Sequence, residues 1–376
     1  MASKIRVGVV FGGRSAEHQV SLVSATSIIN ALDTLKYEVI PIGITAEGKW
    51  ISSPDAIKLL KERIHLKEAF DNILLPDPRV QGLIEINPQS TFTNPQLLDV
   101  IFPVLHGTFG EDGTIQGLFE LAGIPYVGAG VLGSSVGMDK VVTKQLCEHE
   151  NIPVAPYVWF LMNEYEQTKK NIVALIEKKL QYPCFIKPAN SGSSVGISKA
   201  HNRKELLAAI EVAAQYDRKI LVEKGIEHAR EIEVSVLGND DPVASVPGEI
   251  VSSNEFYDYD AKYVDGKSRA IIPAQLPVTV VKKLQLFSVK TFKAIDCAGM
   301  ARVDFLVMKK SNKIYFNEIN TIPGFTSISM YPKLWEASGI SYPKLLDRLI
   351  ELAIERFQEK QQLRTTYQPK ADWYKK

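Results

Sequence analysis

Apolar and polar positions change period several times along the chain. An apolar run at residues 5–11 is followed by Leu22, Ala25, Ile28, Ile29 and Leu32 at helical spacing, then by a second run at 38–44. Strand, helix, strand predicts a βαβ unit. Between 53 and 98 the periodicity fades, and Pro76, Pro78, Pro88 and Pro95 interrupt it, so an irregular or inserted region is expected there. Residues 99–105 form a continuous apolar run of the kind found in strands buried on both faces. A helix is expected at 113–122, stopped by Gly123, with a short strand at 126–127.

From about Lys140 the pattern describes a different unit. A helix runs to His149, strands fall at 183–187 and 196–199 around a glycine and serine loop, and a helix at 203–216 precedes a strand at 220–223. Asn202 and Glu205 supply the N-cap and the capping-box acid of that helix. This unit reads as small and α+β. The remainder shows strands at 231–237, 301–307 and 313–319, helices at 281–294 and 342–361, and a polar tail after Gln362.

Length and charge narrow the classes. At 376 residues the chain has room for two or three domains of roughly 100 to 200 residues each. Lys+Arg number 44 and Asp+Glu 43, so no global field favours nucleic acid or a membrane surface, and any anion site must be local. Cys147, Cys184 and Cys297 share no C-x-x-C spacing, which argues against a zinc site or a disulfide framework and suits a reducing compartment. No apolar stretch approaches the ~18 residues of a membrane span, and no signal peptide is expected.

The strongest chemical signal is a hairpin, ARVDFLV at 301–307 and KIYFNEIN at 313–320, joined by a polar turn at 310–312. A register with Asp304 opposite Glu318 sets Arg302 opposite Asn320 and Leu306 opposite Phe316. Alternation then puts those six on one face and Val303, Phe305, Val307, Tyr315 and Asn317 on the other. Two carboxylates and an amide suit a hard cation such as Mg2+, which takes its remaining oxygens from phosphate and water. Taken alone, Arg302 and Asp304 would more often be solvent-facing charges; the clustering shifts the balance toward metal. The strand runs on into NTIPGFTSISM, where Pro323 and Gly324 force a turn whose amides could face an oxyanion.

Lys187 ends a buried apolar strand, a place where lysine has little reason to be unless an anion meets it. The loop at 190–196 after it offers amides and hydroxyls of the kind that close over phosphates, although no Walker A sequence occurs. Lys140 begins a helix and Lys262 lies in a long polar, aromatic-rich segment of the sort that makes lids. Bringing these lysines and two Mg2+ ions to ATP, about −4 in charge, would neutralise Asp304 and Glu318 as well. Gly128, Gly130 and Gly133 match G-x-G-x-x-G, with Glu148 further on. That acid falls in a helical pattern rather than at the end of a second strand, so a dinucleotide site is disfavoured.

FGGRSAEHQVS at 11–21, LHGTFGEDG at 105–113, MDK at 138–140, IKPANSGSSVG at 186–196, YDAKY at 259–263, ARVD at 301–304 and NEINTIPGFTSIS at 317–329 together resemble the D-alanine:D-alanine ligases, in order and spacing, from residue 5 to about 360. The resemblance implies a three-domain ATP-grasp fold, α/β and α+β, with a Rossmann-like N-terminal domain. Its divisions would be an N-terminal substrate domain at 1–130, a central subdomain at 131–225 and a C-terminal catalytic domain at 226–376. The implied partners are D-alanine and ATP, with two Mg2+ or Mn2+ ions, a homodimer and a cytoplasmic location; a monovalent-cation requirement is left open.

By similarity, Glu17 binds the first D-alanine's ammonium and joins Ser193 and Tyr263 in a hydrogen-bonded closure, with His106 near that substrate's carboxylate. The resemblance places Lys140, Lys187, Ser193 and Ser194 at the ATP phosphates, Lys262 at the transferred phosphoryl, and Glu223 and Glu231 at the adenine and ribose ends. Asp304, Glu318 and Asn320 match the metal ligands, Arg302 and the Gly324 amide the oxyanion donors, and Ser329 the anchor of the second D-alanine. Tyr263 matches the dipeptide-forming members. The rival readings are a D-alanine:D-lactate ligase and a non-catalytic nucleotide or amino-acid binding regulator on the same fold.

Overall fold

The computed structural model describes residues 3–62, 71–86, 95–251 and 269–367. Four sheets organise it. The first runs Trp50–Ser52, Tyr37–Ile44, Ile5–Gly12, Val100–Val104, with the last three strands parallel, so the βαβ reading holds. Val100–Val104 is buried at every position, because helices cover both faces of a parallel sheet and leave no side for polar residues. One face packs on the helix His18–Ala31 and on the closing helix Tyr342–Gln361, through Leu345, Leu346 and Leu349. The other packs on the helix Thr114–Ala122, which ends at Gly123 in the left-handed region, as the glycine stop predicts.

The region at 53–98 is more regular than its sequence suggests. A helix, Ala56–Glu62, is followed by a small antiparallel sheet of Asp71–Leu74, Gly82–Ile86 and Gln96–Leu97. These strands are two to five residues long, too short to establish a period.

Next comes a four-stranded antiparallel sheet ordered Ser198–Ala200, Cys184–Pro188, Lys219–Lys224, Tyr157–Leu161. Helices Met162–Leu180 and Arg203–Ala213 cover its inner face. The Asn202 amide oxygen accepts from Glu205 N at 3.0 Å, and Glu205 in turn accepts from His201 N at 2.8 Å. The strand Tyr157–Leu161 and the helix after it went unread in the sequence, as did the helix Met330–Ala337.

A six-stranded antiparallel sheet completes the fold. Its order is Arg269–Ile271, Gly248–Val251, Ala229–Gly238, Gly299–Met308, Ile314–Asn320, with Val243–Ala244 beside the third strand. Helix Val278–Ala294 packs Leu284 and Phe292 onto it. The expected register holds at Asp304 with Glu318 and Arg302 with Asn320, then fails: Leu306 pairs with Tyr315, not Phe316. A bulge at Asp304/Phe305 inserts one residue on the partner strand, and Phe316 falls opposite Phe305 in the core. A bulge bends its strand and re-aims a side chain, here Asn317, which faces the same cavity as Glu318.

The G-x-G-x-x-G segment has a packing role. A Cβ on Gly133 would lie 2.6 Å from the Asp296 carbonyl oxygen, so glycine lets the helix Val131–Met138 sit against the turn before Gly299–Met308. Arg356 donates to the Gly128 carbonyl and, at 3.1 Å, to that of Tyr126, and so fills the approach a dinucleotide would need.

Candidate active site

Two adjoining cavities lie where the sheets meet. The larger, about 360 Å³, is walled by Lys187 and Glu223 from the four-stranded sheet and by Glu231, Asp304, Asn317 and Glu318 from the six-stranded one. The smaller, about 110 Å³, is bounded by Glu17, His106, Ser193, Arg302, Gly324 and Ser329. Glu233 and Glu318 line both.

Strand alternation explains one wall. Val303, Phe305 and Val307 point into the core, which turns Arg302, Asp304 and Leu306 toward the cavities. Arg302 grips Asp304 with two hydrogen bonds, Nε to Oδ1 at 2.8 Å and Nη2 to Oδ2 at 2.7 Å. Its Nε also lies 3.0 Å from Glu233 Oε2. Burial by itself would lower the guanidinium pKa, but Asp304 and Glu233 outweigh it and raise the pKa well above the ordinary value. Asn320 Nδ2 donates to Asp304 Oδ2 at 3.1 Å.

The facing wall carries a second buried ion cluster. Glu223 Oε1 lies 2.6 Å from Lys144 Nζ, and Oε2 lies 2.6 Å from Lys187 Nζ. Burial alone would raise the Glu223 carboxyl; the two lysines overcome that and hold it down to about 2. Lys144 is fully buried, its pKa lowered by desolvation, and its ammonium donates to the Asn317 carbonyl at 2.9 Å, across to the other sheet. Lys187 Nζ also donates to Asn317 Oδ1 at 3.3 Å. Lys140 Nζ donates to the Ser191 carbonyl at 2.6 Å and lies 3.7 Å from Glu318 Oε2.

Loops close the smaller cavity. Glu17 sits in front of the first residues of the helix His18–Ala31, with its carboxylate between two glycines: a Cβ on Gly107 would come within 2.4 Å of Glu17 Oε2, and one on Gly192 within 2.6 Å. The Ser193 hydroxyl donates to Glu17, joining the loop at 190–196 to the first unit. Ser193 and Ser194 both hold positive φ, 46° and 61°, a conformation that costs of order 1–3 kcal/mol per non-glycine residue and collects at ligand clamps. Ser329 precedes the helix Met330–Ala337, but its hydroxyl turns to Thr326, accepting from Thr326 N at 3.0 Å.

His106 is buried and its pKa is lowered by desolvation, so the ring is neutral. Nδ1 lies 2.9 Å from the Ile322 carbonyl, which can only accept, so the network assigns the proton to Nδ1 and leaves Nε2 to accept from Ser24 Oγ at 3.3 Å. Glu111 braces the same turn, accepting from Ile322 N and Gly107 N, both at 2.9 Å. Burial, with the charge of Glu17 behind it, pushes its carboxyl up to about 8.

Of the residues singled out in the sequence, Glu17, His106, Lys140, Lys187, Ser193, Ser194, Glu223, Glu231, Arg302, Asp304, Glu318, Asn320, Gly324 and Ser329 all lie on the walls of these cavities or of the small recess joined to them. Lys262 and Tyr263 lie outside the described residues. Lys144, Glu233 and Glu111 were missed. Lys144 stands one helical turn beyond Lys140, and Glu233 two residues beyond Glu231, so both shared a face with a residue already chosen.

The donors suit a hard cation. Asp304, Glu318 and Asn320 bring oxygen ligands only, too few for a six-coordinate ion, so phosphate and water would complete the set. Among the described residues no three His, Cys, Asp or Glu side chains gather closely enough to hold a metal by themselves.

Residues 6–129 match the family model described as D-ala D-ala ligase N-terminus, and residues 146–351 match the one described as D-ala D-ala ligase C-terminus. The chain belongs to this ligase family. The D-alanine–D-alanine ligase of Chloroherpeton thalassium is 54% identical, covering 95% of this chain and 98% of its own length. That of Natranaerobius thermophilus is 52% identical over 97% of this chain and 99% of its own. Among solved structures, the D-alanine–D-alanine ligase of Coxiella burnetii superposes with a TM-score of 0.83 at 37% identity, covering 96% of this chain and 97% of that one. The VanG D-Ala:D-Ser ligase of Enterococcus faecalis gives 0.82 at 38%, covering 93% and 100%. The mixed α/β architecture is therefore the ATP-grasp fold of this ligase family.

Proposed function

We propose that the chain joins two D-alanine molecules into D-alanyl-D-alanine with conversion of ATP to ADP and phosphate, supplying a peptidoglycan precursor. The observation that carries this is the pair of adjoining cavities sharing Glu233 and Glu318, one large enough for a nucleotide and one small and polar. A carboxylate is a poor electrophile until phosphorylated. The first D-alanine, held by Glu17 near His106, attacks the γ-phosphorus and becomes an acyl phosphate, while Lys140 and Lys187 meet the phosphates alongside Ser193 and Ser194. Glu231 and Glu223 serve the ribose and adenine ends, and Lys262 the transferred group. Two divalent ions, Mg2+ or Mn2+, would be held by Asp304, Glu318 and Asn320 and would supply charge neutralisation. The second D-alanine, anchored at Ser329, brings its amine to the acyl carbon. Arg302 and the Gly324 amide then hold the tetrahedral oxyanion, interactions worth about 3–4 kcal/mol each, until it collapses with cleavage of the acyl C–O bond and departure of phosphate. Closure of the Ser193 and Tyr263 segments keeps water from the acyl phosphate.

Phosphate release from ATP with D-alanine, compared with L-alanine and with no amino acid, tests the reading. Release that ignores D-alanine sinks it. The acceptor is a finer matter, since a D-Ala:D-Ser ligase superposes as well as a D-alanine–D-alanine ligase. Tyr263 and relatives at 52% and 54% identity favour the D-alanine amine. Offering D-alanine, D-serine and D-lactate together and weighing the products decides it, and Tyr263→Phe should raise the D-lactate share.

The divisions at 1–130, 131–225 and 226–376 are a reading of the same kind. Exposed Leu121, Val131 and Leu132 on neighbouring helices offer an apolar face to a second copy, which supports a homodimer. Three buried thiols, none in a disulfide, and no helix among the described residues long and apolar enough to cross a membrane support a cytoplasmic setting.

A further inference from the structure

Three adjacent strands of the six-stranded sheet, Ala229–Gly238, Gly299–Met308 and the edge strand Ile314–Asn320, carry a row of acids. Glu233 stands opposite Asp304, and Asp304 opposite Glu318, with Arg302 a pleat away between Ser235 and Asn320. Glu233 shares its strand face with Glu231, because Ile232, Val234 and Val236 take the core face. It is 8% exposed, touches Arg302 Nε with Oε2 at 3.0 Å, and lines both cavities. None of the roles above uses it.

We propose that Glu233 is a positioning residue that fixes Arg302 for the ligation step; this rests on the reading of Arg302 as an oxyanion donor. Asp304 already takes Nε and Nη2 of the guanidinium, so a cation bound by Asp304 would compete for the lone pairs that hold Arg302. A side chain on four freely rotating bonds, with its anchor weakened at the moment of use, would not stay aimed. Glu233 reaches the same Nε from the strand on the side away from Glu318 and Asn320, and keeps the guanidinium plane fixed whatever Asp304 is doing. Nη1, which has no hydrogen-bond partner among the described residues, is then left for the reacting oxygen. A displacement of about 1 Å in such a group costs about a hundredfold in rate.

The test uses the full chain and four variants: Glu233→Gln, Glu233→Leu, Arg302→Lys, and Glu233→Leu with Arg302→Lys. Dipeptide formation is followed at varied ATP and varied Mg2+, with thermal melts in parallel. Glu233→Gln keeps an oxygen beside Nε but loses the charge that pairs with the guanidinium, so its kcat should fall about tenfold and that of Glu233→Leu about a hundredfold, with KM for ATP within about twofold. Because Glu233 acts through Arg302, adding Glu233→Leu to Arg302→Lys should cost little more than Arg302→Lys alone. Losses that multiply in the double variant overturn the proposal. So do unchanged kcat in both Glu233 variants, or a kcat restored by saturating Mg2+, which would make Glu233 an ion ligand. Normal turnover by Arg302→Lys defeats the oxyanion reading itself, a separate failure from the rest.

Discussion

Glu223 is a carboxylate held between two ammonium groups, whereas Arg302 is a guanidinium held between two carboxylates. The first cluster leaves positive charge over, on the sheet that carries Lys187. The second leaves negative charge over, on the sheet that carries Glu318 and Asn320. Each wall is thus internally paired and still unbalanced, and a metal polyphosphate is the kind of ligand that balances both. The clusters also differ in depth. Lys144 and Glu223 are almost sealed from solvent, so their pairing is part of the fold, while the side chains of Arg302 and Asp304 keep 16% and 13% exposure at the cavity wall.

The largest effect expected from breaking that contrast is on stability, at the sealed cluster. Glu223→Leu strands two lysines without their shared counter-charge, a loss of about 3–5 kcal/mol in urea unfolding. A loss below about 1 kcal/mol would show that solvent reaches them and that the cluster is not sealed. Arg302→Met should instead cut dipeptide formation by roughly 10²–10³-fold. It leaves Glu233 and Asp304 facing each other, so Mg2+ should raise its melting temperature more than that of the unaltered chain. An equal response in both would mean that the second cluster carries no surplus negative charge for an ion to relieve.

Lys144→Met probes the bridge between the two walls. Methionine can follow the lysine stem, Glu223 keeps Lys187, and the buried Asn317 carbonyl loses its donor, which costs about 1–3 kcal/mol. Because that carbonyl lies next to Glu318, KM for ATP should rise along with the loss. Unchanged ATP binding would limit Lys144 to holding the fold.

What the sequence displayed depended on period and on partners. Alternation put Arg302 and Asp304 on one face, and Asp304 opposite Glu318 followed from the turn at 310–312. The bulge that frees Asn317 left no trace, because NEIN reads as an ordinary alternating strand end until its neighbour's register is known. Glu233 was legible as a face but not as a partner, since the pairing of Ala229–Gly238 with Gly299–Met308 spans some sixty residues that no local pattern connects. The strand Tyr157–Leu161 was hidden for the same reason: Trp159 is exposed and the run is short, so only its pairing with Lys219–Lys224 defines it.

The last expected effect, at most about 1.4 kcal/mol per pH unit, concerns Glu111, and its sign follows from burial. The ordinary carboxyl value is 4.5, and burial with the nearby charge of Glu17 lifts it to about 8 in the folded chain, so the native state holds a proton that the unfolded state has lost between those values. Stability from the neutral acid is fully present below about 4.5 and drains away as pH climbs through about 8, with a slope of at most about 1.4 kcal/mol per pH unit. Glu111→Gln stays neutral and keeps an oxygen for either the Ile322 or the Gly107 amide, so it should unfold with a flatter pH profile over the same range. Urea titrations at pH 5, 6.5 and 8 compare the two slopes. Parallel profiles would mean that the two backbone amides, which favour the ionised form, outweigh burial, and that Glu111 confronts Glu17 as a second negative charge beside the ammonium of the first D-alanine.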